Sequence, residues 1–172
     1  MLRSEWFGSS GEPGQVSATS RQPRSSLYAG PMAHPTSLDQ VRSLLAAASP
    51  AVLTVYREDG SALVSPVWFR LHGNQFEVVI ATGDGKLSHL GRDPRCVLVV
   101  FETTAPFRRV EVRAEATLGF DGVADARLSI ASRYLGEDLG RRFAEQRGGQ
   151  GTLLRLPAVN ARVSDLQAIL PT

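Results

Sequence analysis

Three β-patterned runs lie close together between residues 52 and 80, and two turn signals of three residues each are all that separates them. VLTVY (52–56) is followed by Glu58, Asp59 and Gly60, ALVSPVWFRL (62–71) by His72, Gly73 and Asn74, and then FEVVI begins at Phe76. Connections this short join antiparallel neighbours, because parallel strands need a crossover of a dozen or more residues. The region therefore reads as an antiparallel meander. Downstream, CVLVVFE (96–102) is a continuous apolar run, consistent with burial on both faces. In the run over 109–118, Val110, Val112, Ala114, Ala116 and Leu118 face one way and Glu111, Arg113, Glu115 and Thr117 the other. A last run covers 152–156, with an extended tail carrying Ala161, Val163 and Leu166. Six antiparallel strands with few helices predict a mainly β (α+β) chain closed into a small barrel, since closure removes the edges that an open sheet would expose.

The helical signals are few. Ser37 is a good N-cap, Gln40 completes a capping box, and Leu38, Val41, Leu44, Leu45 and Ala48 share a face. Asp121 is expected to cap a second helix striped by Ala124, Leu128, Ala131, Tyr134 and Leu135 and closed by Gly136; a shorter one with Leu139 and Phe143 follows. Residues 1–36 are rich in Ser, Gly, Pro and Arg without periodicity and read as a disordered extension, leaving 37–172 as one domain. Nineteen basic residues against 17 acidic ones give a net charge of +2, too balanced for nucleic acid or an anionic membrane as the main partner. No apolar run approaches the roughly 18 residues of a membrane span. The single cysteine, Cys96, lies within an apolar run and reads as a buried hydrophobe, which suits a reducing, cytoplasmic setting.

Chemistry is suggested at residues 76–95 (FEVVIATGDGKLSHLGRDPR). The strand pattern breaks at Gly83, Asp84 and Gly85. Lys86 then opens a short helix in which Leu87 and Leu90 share a face, until Asp93 and Pro94 end it. Backbone N–H groups at such a turn, with a lysine beside them, suit a phosphate. Lys86 is the only lysine of the chain. The spacing fits neither the P-loop nor the dinucleotide fingerprint. Pro66 lies inside an otherwise good strand and cannot donate to a ladder, so that strand is an edge or parts from its neighbour there. An opening along Ser65, Pro66, Val67 and Trp68 would lie next to the Lys86 turn and leave backbone groups free for something flat.

No conventional catalytic set accompanies these features. His34, His72 and His89 are scattered, no metal-ligand spacing exists, and Ser65 has no sequence-evident base. An enzyme without acid, base, nucleophile or metal borrows its chemistry from an organic cofactor.

Taken in order, REDGSALVSPVWFRLHGNQFEVVIATGDGKLSHLGRDPRCVLVVFE, PFRRVEVRAEATL and SRYLG resemble the pyridoxamine 5'-phosphate oxidase-like proteins, the flavin-binding split β-barrel family. The resemblance is greatest to small members that use FMN or the deazaflavin coenzyme F-420. It implies a six-stranded antiparallel split barrel with a few short flanking helices, an FMN phosphate held at Lys86 beside Leu87, and a ring lying along Val64, Ser65, Pro66, Val67 and Trp68. Val79, Ile80, Ala81 and Thr82 would line the same groove, and Arg109 would reach toward the ring. It also implies a homodimer with the cofactor at the subunit interface, which would account for the charged face of Glu111, Arg113 and Glu115. The implied activity is hydride transfer between the flavin and a small-molecule substrate. The alternatives are a reductase dependent on coenzyme F-420 and a non-enzymatic flavin or haem carrier with His89 as axial ligand. Asp84 and Gly85 stand where many members carry an arginine, a departure that implies weaker phosphate binding. The C-terminal marks of the true oxidases are not evident, so vitamin B6 chemistry is not part of the expectation.

Overall fold

The computed structural model of the protein describes residues 38–171, so the cap expected at Ser37 and the extension expected over 1–36 lie outside the described residues. The chain begins with a 3-10 turn, Leu38–Val41, that continues into the helix α1 (Arg42–Ala46). Val41, Leu44 and Leu45 are buried as expected, but the helix stops short of Ala48, which is exposed. Strands β1 (Ala51–Tyr56) and β2 (Ala62–Val67) form the first hairpin. Its turn is closed by Arg57 N–H donating to the Ser61 carbonyl at 2.8 Å, with Gly60 at a φ of 78° that favours glycine.

The expected single strand over 62–71 is two strands. β2 ends at Val67, Trp68 and Phe69 turn a corner, and β3 (Arg70–His72) pairs with β4 (Gln75–Ile80) in a second sheet. A strand that changes sheets leaves its corner backbone without ladder partners, and buried peptide groups need replacements. Phe69 N–H donates to the Tyr134 hydroxyl over 3.4 Å, and the Phe69 carbonyl accepts from Arg133 Nη1 at 3.1 Å. The same thing happens later in the chain. β6 (Arg109–Glu115), which pairs with β5 (Arg95–Phe101), breaks at Ala116 before β7 (Thr117–Gly119), and Ala116 N–H donates to the Pro94 carbonyl at 2.8 Å.

With β8 (Thr152–Pro157) and β9 (Ala161–Ser164), the strands form a five-stranded sheet, β2-β1-β5-β6-β9, and a four-stranded one, β3-β4-β8-β7, with every pairing antiparallel. Because β2 runs into β3 and β6 into β7, the two sheets meet at two corners and enclose one core. This is the six-stranded split barrel, with β9 added at one edge. Leu53, Val55, Leu98, Val100, Val110 and Val112 of one sheet meet Phe76, Val78, Leu154 and Leu156 of the other, all fully buried or nearly so.

Not every expectation about burial holds. β5 was expected to be buried on both faces. Cys96, Leu98 and Val100 point into the core, whereas Val97 and Val99 are only half-buried on the outer face, because the barrel wraps one side of the strand. Leu118 leaves the alternation after the corner and is exposed.

The helix α2 (Gly85–Arg92) packs Leu87 and Leu90 against the barrel core. Helices α3 (Val123–Leu135) and α4 (Glu137–Arg147) form a hairpin, with α3 against the outer face of the smaller sheet. Gly140 marks their crossing, since a Cβ there would lie 2.4 Å from backbone atoms of Ser132. The buried stripe of α3 is Val123, Ala126, Arg127, Ile130 and Ala131, rotated from the expected one, and Ala124 and Leu128 are exposed. Nor does Asp121 cap α3. The cap position is Gly122, at a φ of 81°, and the Asp121 carbonyl instead accepts from Arg155 Nη2 at 2.7 Å.

Candidate functional site

β2 is an edge strand, as Pro66 requires: Pro66 faces Val52 of β1 and has no strand on its other side. β3 pairs with β4 only as far as Arg70 opposite Glu77, so Val78, Val79 and Ile80 have no partner on the β2 side. A wedge opens between the two strands where the chain changes sheets. It is a cavity of about 400 Å³, within the range of small-molecule sites. Pro66, Val67 and Trp68 form one wall and Val78, Val79, Ile80 and Ala81 the other, while Ile130 and Ala131 of α3 and Phe143 of α4 close it. Trp68 stacks on Tyr134 with ring centroids 5.0 Å apart and planes 5° from parallel, and Phe143 leans against it at 6.1 Å.

The polar lining of the cavity is Asp84, Lys86, Arg127 and Arg147, three cations against one carboxylate. The turn leading there is closed by Asp84 N–H donating to the Ala81 carbonyl at 3.2 Å, and Gly83 adopts a φ of 81°. Asp84 then caps α2: its Oδ1 accepts from Lys86 N–H at 2.9 Å, and its Oδ2 lies 2.8 Å from Lys86 Nζ. Burial alone would raise the Asp84 carboxyl, but the hydrogen bonds from Lys86 outweigh it and hold the group below its ordinary value.

Arg127 is 7% exposed and donates to three carbonyls at the end of α4, those of Gly148 and Gln150 and, at 3.5 Å, that of Arg147. Desolvation lowers its pKa, and the nearby positive charge of Arg147 lowers it further. The Arg147 guanidinium lies 5.7 Å from the Phe143 ring centroid.

Of the residues singled out in the sequence, the cavity brings together Pro66, Val67, Trp68, Val79, Ile80, Ala81 and Lys86. Val64 and Ser65 lie further back on β2, with Val64 59% exposed on the outer face of the larger sheet. Thr82 is exposed in the turn, and Leu87 faces the core. Arg109 opens β6, three strands from β2 in the larger sheet, and its Nε donates to Ser164 Oγ at 2.8 Å. His89 lies on α2 with Nδ1 3.4 Å from Arg92 Nη2, outside the cavity wall. The Cys96 thiol is buried, and desolvation pushes it up to about 12, which removes it as a nucleophile at neutral pH. Among the described residues no group of three His, Cys, Asp or Glu side chains could hold a metal ion. A larger cavity of about 690 Å³ lies beside α1, but its two inner arginines are already engaged, Arg70 by Glu77 and Asp125 and Arg133 by backbone carbonyls.

The helical lining, Arg127, Ile130, Phe143 and Arg147, was missed by sequence reasoning. Its one visible signal is an arginine within the apolar repeat of α3.

The fold that carries this wedge is a known architecture. The profile of the pyridoxamine 5'-phosphate oxidase family matches residues 37–163. The chain belongs to that family. Its likeness to solved family-like barrels is one of fold. A conserved hypothetical protein from Mycobacterium tuberculosis superposes with a TM-score of 0.69 at 18% identity, over 82% of this chain and 92% of that one. An F-420 reductase superposes with a TM-score of 0.55 at 20% identity, over 71% and 94%. A FAD and haem binding protein from Mycobacterium smegmatis does so with 0.61 at 16% identity, over 77% and 72%. A comparison with curated proteins by sequence finds no match. No described helix of this pyridoxamine 5'-phosphate oxidase family member is long and apolar enough to cross a membrane.

Proposed function

We propose that the protein binds FMN in the wedge between β2 and β4 and passes a hydride between the flavin ring and a small substrate. The observation that carries this reading is the cavity itself, lined by apolar and aromatic side chains together with three cations. Three cations against one carboxylate leave an excess positive charge for a phosphate, and the walls of Pro66, Val67, Trp68, Val79 and Ile130 suit a planar ring. The ring, when bound, supplies the redox chemistry by accepting and returning a hydride. The chain's own part is to bind and orient. The free edge of β4 beyond Glu77 offers backbone hydrogen-bonding groups to the ring edge, the stacked Trp68–Tyr134 pair stiffens one wall, and the α3–α4 hairpin excludes water from above.

The working unit in this reading is a homodimer in which Val64, Ser65 and the outer face of the partner subunit's copy of β6 complete the site. Support comes from the outer face of the larger sheet, where Val52, Val97 and Val99 are half-buried and Val64 and Phe101 exposed. On that face Glu111 and Arg113 pair at 2.6 Å, and an isologous contact could exchange their partners. The cytoplasm is the setting.

Coenzyme F-420 is the second reading, favoured by the three arginines of α4, Arg141, Arg142 and Arg147, which could receive its acidic tail. The absorbance spectrum of the purified protein, alone and after titration, separates the readings: FMN gives two visible bands, the deazaflavin a single band at shorter wavelength. Colourless, monomeric protein that takes up neither would overturn both.

A further inference from the structure

Resting on the cofactor reading above, we infer that the anionic end of the bound flavin is anchored by Arg147, placed there by Arg127, and that Asp84 withholds Lys86 from that role. The lysine is the residue a strand-glycine-lysine motif would nominate, yet its ammonium is already paired with a carboxylate, which among the described residues neither arginine is. Asp84 contacts the residue twice, 2.9 Å from its backbone N–H and 2.8 Å from Nζ, and the Lys86 side chain is only 15% exposed. Asp84 thus occupies the positions a phosphate oxygen would take at the start of α2. A ligand phosphate would have to displace a carboxylate that is covalently fixed at the site, and a tethered competitor has a high effective concentration.

Arg147 is in the opposite situation. It lines the same cavity, it is exposed, and among the described residues it makes no ion pair. Its guanidinium is held over Phe143, which limits its rotamers without consuming its five donors. It stands at the last turn of α4, where unpaired carbonyls would ordinarily repel an anion. Arg127 removes that obstacle, because its guanidinium engages the carbonyls of Arg147, Gly148 and Gln150 from the buried side. Two arginines therefore line one cavity and neither is paired with a carboxylate among the described residues, so an incoming dianion relieves their repulsion. Arg127 acts as a positioning residue and Arg147 as the contact. The ligand class is a phosphate monoester on a planar, largely apolar body.

The test compares FMN with riboflavin, which lacks the phosphate, by titration against the tryptophan fluorescence of the protein, to which Trp6 and Trp68 both contribute. Wild type should prefer FMN. Arg147→Gln should weaken FMN about tenfold and leave riboflavin unchanged, as for a lost charge-assisted hydrogen bond. Lys86→Gln should change FMN affinity by less than about threefold, and Asp84→Asn should tighten FMN severalfold by releasing the lysine. A loss at Lys86→Gln as large as that at Arg147→Gln overturns the assignment, as does an Asp84→Asn protein that binds FMN no better. Wild-type protein that binds riboflavin as well as FMN overturns the phosphate anchor while keeping the flavin reading. Protein that binds neither overturns the flavin reading and this inference with it. Arg147 is exposed, so its variant should melt with the wild type, and inorganic phosphate should compete with FMN in wild type and not in Arg147→Gln.

Discussion

Two charged clusters, one around Glu77 of β4 and one lining the wedge, are built to different rules. Glu77, 3% exposed, sits directly opposite Arg70 on β3 and Arg155 on β8, with contacts of 2.7 and 3.2 Å, and Arg70 reaches Asp125 at 2.8 Å. Two carboxylates meet two guanidiniums, with His72 Nδ1 3.6 Å from Glu77 as a further neighbour. Each charge there finds its counterpart on a neighbouring strand or on α3. At the wedge, Asp84 answers Lys86 alone, and Arg127 and Arg147 have only carbonyls and a ring. A balanced cluster holds strands in register, whereas an unbalanced one facing a cavity has charge left over for a ligand. The comparison separates a structural ion cluster from a binding site more sharply than arginine content would.

The strongest way to break that contrast is Glu77→Ala. It takes the shared buried carboxylate from Arg70 and Arg155, leaving Arg70 only Asp125, and should cost about 3 kcal/mol of stability, read as a fall in denaturation midpoint. Flavin affinity of the folded fraction should stay as it was; a protein that melts like wild type would show that the cluster is not structural.

Asp84→Ala should be milder. Loss of the α2 cap should cost about 1 kcal/mol, seen by chemical denaturation, while anion affinity rises. The two effects have opposite signs at one residue, and a fall in both would contradict the role given to Asp84.

Acid offers a subtler probe. The Asp84 carboxyl is held below its ordinary 3.8, so its contribution to stability is complete above that value and is lost as pH falls through the lower folded-state value. The stability gap between wild type and Asp84→Asn should accordingly be flat at neutral pH and close only on acidification below 3.8, in denaturation midpoints measured across that range. A gap that instead closes between pH 6 and 8, roughly the histidine range, would implicate another group.

The smallest effect belongs to Gly85→Ala. No atom lies within 4 Å of a Cβ built there and the backbone is ordinary helix, so stability should change by less than about 1 kcal/mol and flavin binding not at all. A marked loss of binding would mean that the ligand approaches that backbone closely.

Much of the barrel could be read before the structure. Gly60 and Gly73 lie at the turns of the two expected hairpins, and Pro66 lies on an edge, because steric rules for glycine and proline act locally. The corners were invisible. Alternation continues through Trp68 and Phe69, and what ends the strand is the hold of Arg133 and Tyr134, more than 60 residues away. The site divides along the same line. Pro66, Trp68 and Lys86 announce themselves by type and neighbours, whereas Arg127 stands outside the stripe expected on α3. It is buried because carbonyls 21 and 23 residues further along the chain take up its donors, and no periodicity in α3 encodes that.

Tyr134 has one consequence beyond holding a corner. Its hydroxyl donates to the Ser49 carbonyl at 2.9 Å while receiving the Phe69 amide, and its ring lies flat on Trp68. A single side chain thus ties the lead-in to the first strand, the bend and one jaw of the slot to the same helix. If the slot holds a ring as proposed, its aperture is set from outside the barrel: trimming that phenol to Phe should loosen the jaw while every ladder stays intact, and so retune how thick a ring can enter.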